Sequence, residues 1–196
     1  MRMRPVIIIF SLLAFCCSSA RADICEAVRY ERVERVQAYL AANTNAANFV
    51  GEKQFTPLHF AAEHSSSNGI QILKMLLAHG AKVDTRNHIR QTPLFGAVIF
   101  DNPEGTKILL QHGAKVDARQ GGGGTPLHSA ALNGYCEVAR VLIKNKADIK
   151  AKDEEGKTPI ALASEQLQRS MNERDAALVR RYQEMVTLLR KSEAGR

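Results

Sequence analysis

The sequence predicts an all-α solenoid of about five helix-turn-helix units with short β-hairpin loops, preceded by a signal peptide. Three observations carry this. Thr56-Pro57-Leu58-His59, Thr92-Pro93-Leu94-Phe95, Thr125-Pro126-Leu127-His128 and Thr158-Pro159-Ile160-Ala161 begin 36, 33 and 33 residues apart. A second marker keeps the same beat: Gly80-Ala81-Lys82-Val83-Asp84, Gly113-Ala114-Lys115-Val116-Asp117 and Lys146-Ala147-Asp148-Ile149-Lys150 are each 33 apart. Self-similarity at such a period is the mark of a repeat architecture, in which each unit buries its apolar face only against its neighbours. The third observation lies at the N-terminus.

There, Arg2 and Arg4 precede an apolar run from Val6 to Phe15 broken only by Ser11, and small residues follow up to Ala20-Arg21-Ala22. A basic start, a short apolar stretch and an A-x-A site are the parts of a secretory signal. A membrane-spanning helix needs about 20 apolar residues, roughly twice this run. Cleavage is expected after Ala22, making residues 1–22 the signal and Asp23 the first residue of the mature chain. Leu13-Ala14-Phe15-Cys16 also places a cysteine after an apolar run, as lipoprotein signals do, but bulky Phe15 stands where those want a small side chain.

The cut changes the charge argument. The full chain carries 27 Lys and Arg against 20 Asp and Glu, a net charge of +7. Removing Arg2, Arg4 and Arg21 leaves 24 against 20, or +4, and the case for nucleic-acid binding weakens. Cys16 and Cys17 go with the signal, leaving Cys25 and Cys136. An oxidising compartment invites a disulfide between them. Stacked helices lie about 8–10 Å apart, so cysteines three units apart are too distant for a bond that needs Cα atoms within about 7 Å. No intramolecular disulfide is expected.

Each unit can be justified in turn. Residues 23–50 lack the Thr-Pro start but keep a helical pattern through Ala27, Val28, Val33, Val36, Tyr39 and Leu40, as an N-terminal cap would. Residues 51–86, 87–119 and 120–152 are full units. Threonine caps a free backbone N–H, and proline at the first helical position has none to lose, so each Thr-Pro opens a first helix. Ala61, Ala62, Ala130 and Ala131 supply small apolar residues for close helix approach. Second helices read 70–78, 104–111 and 137–144, with Gly80 and Gly113 placed for left-handed C-terminal caps. Lys146 takes that glycine's place in the fourth unit, where strain or a reshaped turn is expected. The three additional residues of the second unit fall in Ser65-Ser66-Ser67-Asn68. From 153 to 196 the last unit starts regularly, passes through a polar stretch at 165–175, and ends in a long amphipathic helix through Leu178, Val179, Tyr182, Met185, Val186 and Leu189. Arg180, Arg181, Arg190 and Lys191 read as its solvated face, as a C-terminal cap requires.

With these markers in fixed phase, the chain resembles the ankyrin repeat family, whose 33-residue unit carries a Thr-Pro-Leu-His-x-Ala motif. The resemblance covers essentially all of the mature chain. It implies a protein partner held on a concave face built from hairpin tips and the exposed side of each first helix. Carried onto this sequence, the partner-binding candidates are Phe55, His64, His88, Ile89, Ile99, Phe100, Leu132 and Tyr135. Several are apolar at positions the architecture exposes, and exposed apolar patches mark recognition sites.

No catalytic or metal site is expected, and no cofactor. His59 and His64 flank Glu63 but stand five apart, which does not put both imidazoles on one helical face for a metal. Gly156-Lys157-Thr158 resembles the end of a phosphate loop, yet Ala151 occupies the position of its first glycine. The run Gly121 to Gly124 lies in a hairpin with nothing catalytic beside it. His59, His128, His79 and His112 sit at repeat positions, where structural hydrogen bonding is the simpler reading. The expectation is therefore a monomeric, non-catalytic, periplasmic or secreted binding protein with no nucleic acid and no stable membrane insertion after signal cleavage. A periplasmic immunity or inhibitor protein against a toxin or hydrolase, or a stress-protection scaffold for envelope enzymes, is the alternative; some exported bacterial ankyrin-like proteins play the inhibitory role.

Overall fold

A computed structural model describes residues 20–195; the greater part of the expected signal segment, residues 1–19, lies outside the described residues. Ten α-helices follow in chain order: α1 (Ala20–Arg29), α2 (Val33–Ala42), α3 (Pro57–Glu63), α4 (Ser67–Ala78), α5 (Pro93–Ile99), α6 (Pro103–Gln111), α7 (Pro126–Asn133), α8 (Cys136–Lys144), α9 (Pro159–Glu173) and α10 (Ala176–Ala194). They pair into five helix-turn-helix units. First helices stack as α1, α3, α5, α7 and α9, and second helices as α2, α4, α6, α8 and α10. α1 begins ahead of the expected cleavage point, and its buried Ile24, Ala27 and Val28 all lie beyond it.

One apolar core runs through all five units, from Ile24 to Leu189. Ala61, Ala62, Ala97, Ala130 and Ala131 are fully buried where first helices meet. Gly96 shows how close they come: a Cβ there would stand 3.2 Å from the His59 carbonyl oxygen of the preceding unit. Leu73, Leu76, Leu109 and Leu142 fill the space toward the second helices.

Proline opens α3, α5, α7 and α9, each behind a threonine in extended conformation. In the second and fourth units histidine completes the start. The Thr56 N–H donates to His59 Nδ1 at 3.1 Å, and Thr56 Oγ1 lies 2.9 Å from the same nitrogen. Thr125 and His128 repeat this at 3.1 and 2.8 Å. Thr158 instead caps Ala161 N–H. In the third unit Phe95 occupies the histidine position, and the buried Thr92 hydroxyl has no partner. A buried hydroxyl without a partner costs about 1–3 kcal/mol. Thr92→Val is therefore expected to raise stability by about 1 kcal/mol, while Thr125→Val lowers it by a similar amount; urea unfolding of the two variants checks the opposite signs.

The second helices of the three central units, α4, α6 and α8, end alike. Ala81 N–H donates to Leu76 O, Ala114 N–H to Leu109 O and Ala147 N–H to Leu142 O, the long bond of a Schellman cap. Gly80 and Gly113 supply the left-handed residue at φ 75° and 86°. Lys146 adopts the same conformation at φ 67°, so the turn keeps its shape and the lysine bears a cost of about 1 kcal/mol.

The hairpin loops are tight turns, with no strand among the described residues. Asn87 N–H donates to Gln91 O, Gln120 N–H to Gly124 O and Asp153 N–H to Lys157 O, closing each turn. Neighbouring tips share one backbone bond apiece: His88 to Lys53 O, Gly121 to Ile89 O and Glu154 to Gly122 O. One bond per tip is too few for a ladder. In the last unit the polar stretch continues as helix, making α9 15 residues long against seven or eight for α3, α5 and α7. Arg180, Arg181, Arg190 and Lys191 of α10 are exposed.

Candidate functional site

The face made by turn tips and first helices carries two separate groups of candidate residues. At the tip end, Phe55 follows a single 3-10 turn, Glu52–Gln54, and is half-buried. Its ring stacks on Phe60 at 5.3 Å between centroids and 19° between planes, meets His59 edge-on at 5.4 Å, and is tilted against His88 at 6.1 Å. The Arg29 guanidinium lies 4.5 Å above the Phe60 ring, a cation–π contact. Glu63 sits near this cation; burial pushes its carboxyl pKa up, and Arg29 opposes the shift. Ile89, in the next tip, is 45% exposed.

Phe60 and Arg29 extend the group of side chains expected from sequence. Phe60 carried a readable signal: the same repeat position holds Gly96, Ser129 and Leu162, so it is the one aromatic in its column. Arg29 had none, because its position beside Phe60 depends on how α1 stacks on α3.

The second group lies at the far ends of the first helices. α5 has seven residues, which at 1.5 Å each puts Phe100 about 10 Å along the helix from its Thr-Pro start. Phe100 is 56% exposed and Leu132 43%. Ile99 is half-buried, as is Tyr135, which precedes α8. The Leu132 carbonyl accepts from Tyr182 Oη of α10 at 2.9 Å, fastening the capping helix to this edge. Next to Phe100, Asp101 lines an open cleft of about 400 Å³ with Gly134, Tyr135, Cys136, Glu137, Arg180, Arg181 and Glu184. Burial raises the Asp101 pKa, with Arg181 opposing. Gly134 is required twice: its φ is 71°, and a Cβ would stand 2.7 Å from Arg181 Cδ.

His64 stands apart from both groups. Its Nδ1 lies 3.2 Å from Glu31 Oε1, and Ser66 Oγ donates to the other oxygen of that carboxylate. His88 stays at the tips, where its N–H and Nδ1 both approach the Lys53 carbonyl, at 3.0 and 3.1 Å. The eight candidates therefore form a tip cluster (Phe55, His88, Ile89), a helix-end cluster (Ile99, Phe100, Leu132, Tyr135) and one residue engaged within the fold.

Two further histidines and two cysteines have structural work or are held in unreactive form. His79 and His112 place Nδ1 2.9 Å from the carbonyls of Met75 and Ile108. Cys25 and Cys136 are free thiols, and burial pushes each pKa up to about 11, so neither is a thiolate at neutral pH. Among the described residues, no three His, Cys, Asp or Glu side chains gather to hold a metal, and no helix is long and apolar enough to cross a membrane.

This succession of Thr-Pro-opened first helices, Schellman-ended central second helices and linked turn tips defines a helical repeat protein. The family model of ankyrin repeats, which spans three copies, matches residues 24–120, 65–153 and 117–194 in overlapping registers. The chain belongs to the ankyrin repeat family. Ankyrin repeats are in general protein–protein interaction modules. No curated protein matches the chain.

Proposed function

We propose that this chain is an exported, non-catalytic binding protein that holds a protein partner across its turn tips and first helices. The observation that carries this is the exposure of Ile89, Phe100 and Leu132 on that face; among the described residues the other exposed large apolar side chains, Tyr30, Val50 and Met171, lie in the two end units or at their border. Large apolar side chains left in water at an aromatic-lined surface are the usual anchors of a protein interface. The stacked Phe55 and Phe60, with Arg29 over the latter, add a flat, rigid platform whose contact area costs little side-chain entropy. The non-catalytic reading rests on the histidines, whose ring nitrogens at repeat positions are engaged in backbone and capping bonds. Export to a periplasm or the medium rests on the composition of residues 1–22.

The test is affinity capture from an envelope extract with the mature chain as bait, read by mass spectrometry. The bait recovered from its own producing cells is expected to begin at Asp23. Phe100→Asp and Ile89→Asp should each weaken capture of the partner by at least about tenfold, the scale of a lost hot spot. A partner retained equally by both variants would remove the interaction from this face. Capture of a toxin or hydrolase would make the protein an inhibitor; capture of a resident envelope enzyme would make it a scaffold.

A further inference from the structure

The second repeat marker carries a charge pattern that the proposed binding face does not use. Three six-residue loops, 81–86, 114–119 and 147–152, follow α4, α6 and α8. Between them they hold Lys82, Arg86, Lys115, Arg119, Lys150 and Lys152, all exposed, against Asp84, Asp117 and Asp148. The acids turn toward backbone. Asp84 Oδ1 accepts the Lys115 N–H at 3.1 Å and Asp117 Oδ1 accepts the Asp148 N–H at 2.9 Å, each reaching into the next loop. Asp148 Oδ1 accepts the Lys150 N–H at 2.9 Å. Arg119 donates to the carbonyls of Gly123 and Lys152, both at 2.7 Å, which ties the third loop to the second. The other five cations make no ion pair with an acid among the described residues. Lys146 adds a further exposed cation just before the third loop, in the left-handed position that Gly80 and Gly113 hold elsewhere.

The result is a row of outward cations whose counter-charges are already engaged with backbone N–H groups. Adjacent loops ride on helix pairs about 10 Å apart. An extended polypeptide advances about 3.3 Å per residue, so every third side chain falls opposite a new loop. Single exposed ion pairs are weak and screened by salt, but three loops acting on one strand gain from effective concentration. We propose that this row docks an extended acidic segment of a polypeptide, with a carboxylate at about every third residue. It is a second surface, independent of the apolar tip and helix-end clusters.

The test is fluorescence anisotropy of the purified protein with two labelled twelve-residue peptides of the same Glu, Gly and Ser content. One has glutamate at every third position and the other has its glutamates together at one end. The spaced peptide is expected to bind more tightly, with affinity falling as salt rises. Lys82→Glu, Lys115→Glu and Lys150→Glu combined should weaken it by about tenfold or more. Those side chains are exposed and form no hydrogen bond or ion pair among the described residues, so circular dichroism should be unchanged. Arg190→Glu with Lys191→Glu on α10 should leave binding as it was. Equal loss from the α10 pair would reduce the effect to net charge and overturn the proposal. So would equal affinity for the clustered peptide, or retention on anionic vesicles without binding of either peptide.

Discussion

Asn102→Leu is expected to destabilise the protein by about 3–5 kcal/mol, the largest effect of any single polar side chain in the fold. Asn102 is completely buried between α5 and α6. Its Nδ2 donates to the carbonyls of Ala62 at 3.0 Å and His64 at 2.9 Å, the two that end α3 in the preceding unit. Its Oδ1 caps α6 by accepting the Gly105 N–H at 2.8 Å, and its backbone oxygen accepts from Thr106 Oγ1 at 2.8 Å. Leucine matches the shape but leaves two carbonyls and an N–H without partners away from water, each costing about 1–3 kcal/mol. Asn102→Asp should be no milder, because a carboxylate oxygen would then face the two carbonyls in place of a donor. Gly105 belongs to the same device: a Cβ there would fall 2.4 Å from Asn102 Nδ2. Urea unfolding checks the size, and a cost of less than 1 kcal/mol would show that water replaces the side chain.

Asn102 also marks the boundary of what the sequence discloses. Local rules were legible: threonine before proline opens a helix whatever surrounds it, and Gly80 and Gly113 announce left-handed caps through their own backbone freedom. Side chains that act between units were not. The partners of Asn102 lie 38 and 40 residues away, and the reach of Asp84 and Asp117 into the next loop depends on stacking. Lys146 keeps the left-handed turn because Leu142 and Ile143 still offer their carbonyls, so the neighbouring geometry overrides the residue's preference. At the candidate face, exposure of Ile89, Phe100 and Leu132 followed from the repeat register. The stacking of Phe55 under Phe60 did not, since it requires two side chains five apart to leave a turn and a helix toward the same side.

A second large effect is expected from pH. Between pH 7.5 and 5.5 the wild-type protein should lose stability, and His59→Gln with His128→Gln should flatten that loss while lowering stability at pH 7.5 by about 1–2 kcal/mol per site. Each imidazole is fixed in one neutral form by its neighbours. A backbone N–H only donates, so Nδ1 of His59 and of His128 accepts from Thr56 and Thr125. A carbonyl only accepts, so Nε2 carries the hydrogen toward Gln91 O at 3.1 Å and Lys157 O at 3.0 Å, each in the next unit. Burial lowers both pKa values below 6.5, against the pull of those carbonyls. A depressed histidine pKa means that below 6.5 the unfolded chain takes up protons the fold refuses. Stability is therefore full above pH 6.5 and falls as pH drops toward the folded-state value. Protonation puts a hydrogen on Nδ1 facing the threonine N–H, breaking the helix start and loosening the junction to the following unit. The carboxyls of Glu63 and Asp101, whose pKa values burial raises, contribute the opposite slope from their ordinary values upward, and both variants retain them. Glutamine can still donate toward the next unit's carbonyl but cannot titrate, so the comparison isolates the proton. Thermal midpoints across this range decide it: an unchanged slope in the double variant would place the acid sensitivity elsewhere in the fold.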